Sequence, residues 1–390
     1  MSIFRRLSSR GLAALIGSVA AIAAVGAAVA VTALGSGGST PAPEPLSTAV
    51  HSALSAARVG GITARIAFTN HLLGSSALGS LGAGSPLLSG ATGRLWSTSD
   101  GHLRLELQSD SGDAQIVSDG TTLSIYDASS NTAYRIALPA RPSASTSAGT
   151  VPSLDQIESA LSRLAAFADL SVATPDSIAG QPAYTVTASP KTGGGLVGSA
   201  ALSWDAATGV PLRLSIYARG DSSPVLELTA TDISYGTVPS SDVDIAPPAG
   251  AKLVTLSIPS GSSQAGSAAP VTGLDAVAAA LAFKLVAPDT LDGLARSEVR
   301  LIGKGSDPGA LVTYGQGLGT IVAVEHAAGS SGAASPLDQL PSVTIGGAKG
   351  HELVTALGTV VEVTTGGVSY AVGGSVAQAD AEAAVRALTS

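Results

Sequence analysis

The stretch Ile116-Val117-Ser118-Asp119-Gly120-Thr121-Thr122-Leu123-Ser124-Ile125-Tyr126-Asp127 decides how the rest of the chain is read. Asp119-Gly120 supplies residues that tolerate positive φ at a tight turn, and β-branched or aromatic residues flank it on both sides, which is the pattern of a β-hairpin. After the turn, Leu123 and Ile125 share one parity while Thr122, Ser124 and Tyr126 share the other, so one strand face is apolar and the other mostly polar. The spacing predicts an antiparallel sheet with one covered face.

The segments around the hairpin repeat its pattern. Strands are expected at 92–98, 102–108, 115–118, 121–127 and 133–138; in the second, Leu103, Leu105 and Leu107 alternate with His102, Arg104, Glu106 and Gln108. This reads as a meander. A strand at 62–68 precedes it, after a helix for which Ser47 is a candidate N-cap, with Val50, Leu54 and Ala57 at helical spacing and Gly60-Gly61 as the stop. After the meander, Ser153-Leu154-Asp155-Gln156 has the form of a capping box, and Ile157, Leu161, Leu164 and Ala168 form one stripe. That stripe needs apolar cover, and the leucine face of the meander is the surface on offer. Four further strands are expected at 180–188, 200–205, 212–218 and 224–233.

Between residues 70 and 90, Leu72, Leu73, Leu78, Leu81, Leu87 and Leu88 are scattered among Gly, Ser and Ala. Long connections of this kind often bind ligands or cover sites. Either the leucines fold back onto their own core, or they form a flap over an apolar cavity, or they touch a membrane.

Composition narrows the function. Charged residues make up 12% of the 390 residues, aromatics 3%, and there is no cysteine, which rules out disulfides and thiolate metal sites. The net charge is −8; setting aside Arg5, Arg6 and Arg10 takes the remainder from −8 to −11, opposite to the footprint of a nucleic-acid binder. Residues 11–34 are an uncharged apolar run behind that basic head, long enough to cross the roughly 30 Å hydrocarbon core as a helix. The body after it is therefore expected outside the cytoplasm. Ala28-Val29-Ala30 has the form of a cleavage site, but the length of the run favours a retained anchor. Residues 35–45 are a Gly/Ser and Pro-rich tether, and 256–270 a second linker.

Gly93-Arg94-Leu95-Trp96, the Val-Ser-Asp-Gly turn, Gly180-Gln181-Pro182-Ala183-Tyr184, the segment from Trp204-Asp205 to Leu212-Arg213, and Asp244-Ile245-Ala246-Pro247-Pro248-Ala249-Gly250-Ala251 together resemble the LolA/LolB superfamily of lipoprotein carriers, including its RseB/MucB-type envelope regulators. The resemblance covers about 46–255. It implies an α+β fold: a strongly curved antiparallel half-barrel wrapped around helices, with an apolar cavity for acyl chains. On that reading Leu95, Leu103, Leu105, Leu107, Leu123 and Ile125 of the sheet and Ile157, Leu161 and Leu164 of the helix line the cavity. A solidly packed core would use the same residues. One departure stands out: the carriers' Arg-Pro after the Trp-bearing strand is replaced by 97–101, and the nearest arginine, Arg104, is on the next strand.

Residues 271–390 are expected to form a smaller α+β domain, with a short helix at 273–281, strands at 297–302, 310–315, 320–326, 342–345, 351–356, 358–364 and 368–373, and a terminal helix opened by Ser375-Val376-Ala377-Gln378 with Val376, Ala379, Ala383 and Leu388 on its stripe. His51, His71, His102, His326 and His351 show no metal-ligand spacing. Gly315-Gln316-Gly317-Leu318-Gly319 lies between strands and reads as a hairpin turn. No catalytic constellation and no cofactor motif is legible. The expected function is non-enzymatic binding of a lipid or an acylated protein by a membrane-tethered, extracytoplasmic chain; the alternative is a sensor acting on a membrane protein such as an anti-sigma factor.

Overall fold

The computed structural model describes residues 40–74, 85–138, 151–191, 195–256, 271–303, 308–329, 337, 340 and 342–390. The apolar run at 11–34, with Leu78 and Leu81 of the 70–90 connection, lies outside these residues. Among the described residues no helix is long and apolar enough to cross a membrane.

The fold is α+β: a curved antiparallel half-barrel, then a smaller sheet with a C-terminal helix. The first part opens with α1 (Leu46–Ser55) and β1 (Gly61–Asn70), followed by the four-residue α2 (Pro86–Ser89). The meander is β2 (Ala91–Thr98), β3 (Leu103–Ser109), β4 (Gly112–Ser118), β5 (Thr122–Asp127) and β6 (Thr132–Ala137). Then come α3 (Leu154–Leu164), β7 (Ala168–Leu170), β8 (Thr174–Ile178), β9 (Gln181–Pro190), β10 (Val197–Asp205), β11 (Pro211–Ala218), β12 (Pro224–Tyr235), α4 (Ser240–Val243) and β13 (Lys252–Leu256). The sheet order is β13-β6-β5-β4-β3-β2-β1-β12-β11-β10-β9-β7, with β8 also on β9. β1 thus joins two meanders, and β13 adds to β6 in parallel, turning the start of the expected 256–270 linker into an edge strand.

The hairpin at 116–127 forms as its sequence requires. Gly120 sits at φ +82, and the Asp119 carboxylate accepts from the backbone N–H of Thr121 and Thr122 at 2.8 and 2.6 Å, closing the turn.

Two helix expectations are corrected. The capping box at Ser153 is present in both directions, but α3 does not lie on the meander. Its packing partner is α1, with Ile157 as its one buried residue, while Leu161 is half-buried and Leu164 exposed. The meander's inner face is already covered: the sheet curls so that Val210, Leu228, Ile233, Tyr235 and Val254 reach it, and Leu87 of α2 packs among its residues. The N-cap of α1 is Pro45 rather than Ser47, and the helix stops at Ser55, ahead of Gly60-Gly61.

The second sheet contains β14 (Thr290–Leu291), β15 (Leu294–Ile302), β16 (Gly309–Tyr314), β17 (Ile321–Ala327), β18 (Ser342–Ile345), β19 (Ala348–Thr355), β20 (Gly358–Thr365) and β21 (Val368–Gly374), in the order β14-β15-β16-β17-β21-β20-β19-β18. α5 (Leu274–Ala279) precedes it, and α6 (Gln378–Thr389) packs on β20, β21 and β18. The N-cap of α6 is Ala377 and carries no side-chain cap; the Ser375 hydroxyl instead accepts from the Leu196 N–H at 3.0 Å. The buried face is accordingly Ala381, Ala384, Val385 and Leu388, and Ala379 is exposed.

Candidate functional site: an apolar row and its roof

The pairing registers of the first sheet align inward-facing residues across eight strands. Reading from β12 through β1 and the meander to β13, the row is Ile233, Ala64, Leu95, Leu105, Ile116, Ile125, Tyr134 and Val254. Every member is apolar or aromatic, since along a continuous register one side-chain parity stays on one face. Leu105, Ile116, Ile125 and Tyr134 are buried, while Leu95, Ile233 and Val254 are partly buried. Leu103, Leu107, Leu123 and Ile136 flank the row in the same cluster. Six of the residues expected to line an apolar interior, Leu95, Leu103, Leu105, Leu107, Leu123 and Ile125, are therefore brought together. Ile157, Leu161 and Leu164 are not: they belong to the α1–α3 pair.

The row is roofed by the end of the 70–90 connection. Pro86, Leu87 and Leu88 of α2 are buried, and the helix contacts β1, β3 and β4. Leu87 folds back onto the core of the row, and Leu88 is buried beside it.

The residue that fixes the roof was not legible in the sequence. Asn70, at the end of β1, is buried; its side-chain N–H donates to the Leu87 carbonyl at 2.7 Å, and its side-chain oxygen accepts from the Leu72 N–H at 2.9 Å. One amide thus holds both ends of the connection. A buried amide is costly unless both of its ends are bonded, and here both are. The only signal for it was a polar residue at the end of an apolar strand. From Leu72 onward the connection reaches the second sheet, where Leu73 bridges Thr355 of β19 and the Ala356 N–H donates to the Leu72 carbonyl at 2.9 Å.

On the opposite face of β2 and β3 lies a polar cluster. The Arg104 guanidinium stands 4.9 Å from the Trp96 ring, donates to the Asp242 carbonyl of α4 at 3.1 Å and pairs with Glu106. His102 Nδ1 is 2.7 Å from the Asp244 carboxylate, which raises the imidazole pKa above its ordinary value through that hydrogen bond and charge, against a smaller desolvation effect. Together these contacts pin α4 to the outside of the sheet. Arg104 is spent on α4 and does not reach the interior.

At the inner edge of the row, the Tyr235 hydroxyl donates to Asp205 at 2.5 Å. Burial, then that bond, pushes the Tyr235 pKa well up. Asp205 also accepts from the N–H groups of Ala207 and Thr208, so it closes the β10–β11 turn. No group of three or more His, Asp or Glu side chains among the described residues is placed to hold a metal. What the interior offers a ligand is apolar area.

No family model and no curated protein matches the chain. Similar solved structures are of the kinds that the sequence motifs resemble. A crystal structure of MucB in complex with MucA(peri) is 18% identical, covering 84% of this chain and 92% of that one at a TM-score of 0.42. The Pseudomonas aeruginosa MucA/MucB complex is 19% identical, covering 88% and 97% at 0.42. A domain from Vibrio parahaemolyticus assigned to outer membrane lipoprotein sorting is 12% identical, covering 47% and 89% at 0.20.

Proposed function

We propose that this chain is an extracytoplasmic, non-enzymatic binding protein of the LolA/LolB-like kind, held at a membrane by residues 11–34, whose first sheet receives the acyl chain of a lipid or of a lipid-modified protein. In this reading 46–255 is the binding domain and 271–390 a second domain. The observation that supports it is the unbroken apolar row across eight strands, roofed by Leu87 on a four-residue helix. So short a helix has no stability of its own and stays where its side chains are held. Displacing Leu87 and Leu88 forfeits about 1.5–3 kcal/mol each, and an acyl chain gains about 0.8 kcal/mol per buried methylene, so about four to eight methylenes offset the loss. Native mass spectrometry of the full chain released from membranes in mild detergent is expected to show bound lipid, depleted by Leu105→Asp relative to Ser124→Asp on the other face. A lipid-free parent chain that also leaves an environment-sensitive apolar probe dark would end this reading.

A second reading, a sensor acting on a membrane protein, is favoured by the 70–90 connection, which is fastened to the first sheet through Leu87 and to the second through Leu73 and Ala356. Displacement of the roof would then be felt at β19. The expected outcome is that Asn70→Leu, which frees both ends, changes the recovery of a membrane protein on the full chain. Equal recovery by parent and variant, or none by either, counts against it.

A further inference from the structure

One corner of the first sheet carries an apolar edge that the interior does not use. α3 ends at Leu164, and the turn that follows, in which the Phe167 N–H donates to the Leu164 carbonyl at 3.0 Å, leads through β7 to Val172. Leu164, Phe167 and Val172 are 50%, 77% and 71% exposed. The chain has only four phenylalanines, and Phe167 is more exposed than any other large apolar side chain among the described residues. Several such side chains on one edge mark a surface that meets something apolar.

The charges beside this edge are of both signs. Arg163 is in the last turn of α3, and Lys191 donates to the Ala165 carbonyl at 2.5 Å while standing 3.7 Å from the exposed Asp169. With Glu44, which bridges Ala173 beside Val172, the corner holds two cations and two carboxylates, a charged rim around the apolar edge.

The tether enters the fold at the same corner. The Tyr184 hydroxyl donates to the Ala42 carbonyl at 2.6 Å, Glu44 bridges Ala173, the immediate neighbour of Val172, and α1 begins at Leu46 and packs on α3. From Leu34, the end of the apolar run, to Ala42 the chain can span at most about 26–29 Å when fully extended. If the run is in the bilayer, this corner is the part of the folded body closest to it along the chain.

We propose that the edge formed by Leu164, Phe167 and Val172 rests on the membrane itself, with the Phe167 ring at the boundary of headgroups and acyl chains and with Arg163 and Lys191 facing anionic headgroups. Aromatic and aliphatic side chains flanked by cations suit that interface, where an apolar body and a charged rim are satisfied together. The inference rests on the tether reading of residues 11–34 and adds what that reading lacks: a fixed orientation of the body on the membrane.

The test uses the full chain with Phe167→Trp, reconstituted into vesicles of equal parts phosphatidylcholine and phosphatidylglycerol with brominated acyl chains. The parent chain, with Trp96 and Trp204, supplies the background. The added emission is expected to be largely quenched in brominated and restored in unbrominated vesicles, with the background little changed. A chain that stays with the vesicles yet shows no quenching of the added tryptophan overturns the proposal and leaves the tether standing. A chain recovered in the aqueous phase and unquenched overturns both. If Phe167→Asp instead dissociates a dimer in detergent and the tryptophan remains unquenched, the edge belongs to a second copy and the proposal falls.

Discussion

Glu325 of β17 is fully buried in the second sheet, facing the same way as Ile321 and Ala323, and it pairs across the sheet with Ala310 and Tyr370. One carboxylate oxygen accepts the Val286 N–H at 3.0 Å, and the other has no hydrogen-bond partner. Burial pushes the carboxyl from 4.5 up to about 7, partly opposed by the Val286 bond. Because the folded value lies above the unfolded one, the unfolded chain loses this proton first as pH rises. The contribution is intact below about 4.5, is lost as pH climbs through 7, and the loss then levels off. At about 1.4 kcal/mol per tenfold, the rise amounts to about 3 kcal/mol of stability missing at pH 8. Glu325→Gln keeps an acceptor for Val286 and removes the charge, so its advantage over the parent should grow by about that amount between acid and alkaline pH. Urea unfolding followed by circular dichroism at several pH values measures it. Trp96 and Trp204 both lie in the first sheet, so their fluorescence reports how far the unfolding of that sheet follows that of the second. A Gln advantage that is the same at every pH, or one seen only in the tryptophan signal, would refute the reasoning.

Three other outcomes follow from close contacts. A Cβ at Gly93 would be driven into the Glu106 carbonyl of the neighbouring strand, so Gly93→Ala should cost about 1–3 kcal/mol or more by thermal unfolding, whereas Gly120→Ala, in open space at φ +82, should cost nearer 1 kcal/mol. Comparable losses at the two sites would count against the close approach. His102 gains its raised pKa chiefly from Asp244, so the pair stabilises α4 at pH below the ordinary imidazole value and fades as pH rises through the raised one. Both side chains are partly exposed, and the effect should stay under about 1 kcal/mol. Asp244→Asn should bring the His102 NMR titration midpoint down; an unmoved midpoint would deny the contact. Finally, Gly195 at φ +57 lies against the Ser375 carbonyl, and Leu196 donates its N–H to Ser375. Gly195→Ala should split a shared calorimetric transition of the two sheets, and an unsplit one would show that this contact does not couple them.

The first sheet was readable because its inner face obeys one parity from strand to strand. Once Asp119-Gly120 fixes one turn, Leu123, Ile125 and Leu105 can be assigned to a common face without knowing what covers it. What covers it is a tertiary choice, and periodicity is silent about it. The stripe of α3 and the leucines of the meander are each other's natural partners by composition, yet Leu87 packs on the meander and α3 packs on α1. The same limit explains Ser375-Val376-Ala377-Gln378. Its capping pattern is genuine chemistry, but the Ser375 hydroxyl met a better-placed donor in Leu196, 179 positions away, and the helix started two residues late. Asn70 and Glu325 were missed for a further reason: a single polar residue in an apolar strand takes its role entirely from neighbours distant in sequence.

The way the roof is held bears on function more than the leucines do. If the interior of the first sheet were only a core, Leu87 and Leu88 could be retained by packing alone, and a polar side chain beneath them would be a liability. Instead Asn70 spends its amide on the backbone at both ends of the connection, at Leu87 and at Leu72. Hydrogen bonds to backbone position a segment without needing any particular side chain on it. One end lies over the apolar row and the other on β19 through Leu73, Thr355 and Ala356. Displacing α2 breaks the Asn70 bond to Leu87, and the same side chain also holds Leu72, whose carbonyl accepts from Ala356 of the second sheet. This link between the two sheets is what the sensor reading would use. The carrier reading asks only for the apolar row, and Asn70→Leu is the substitution that tells the two readings apart.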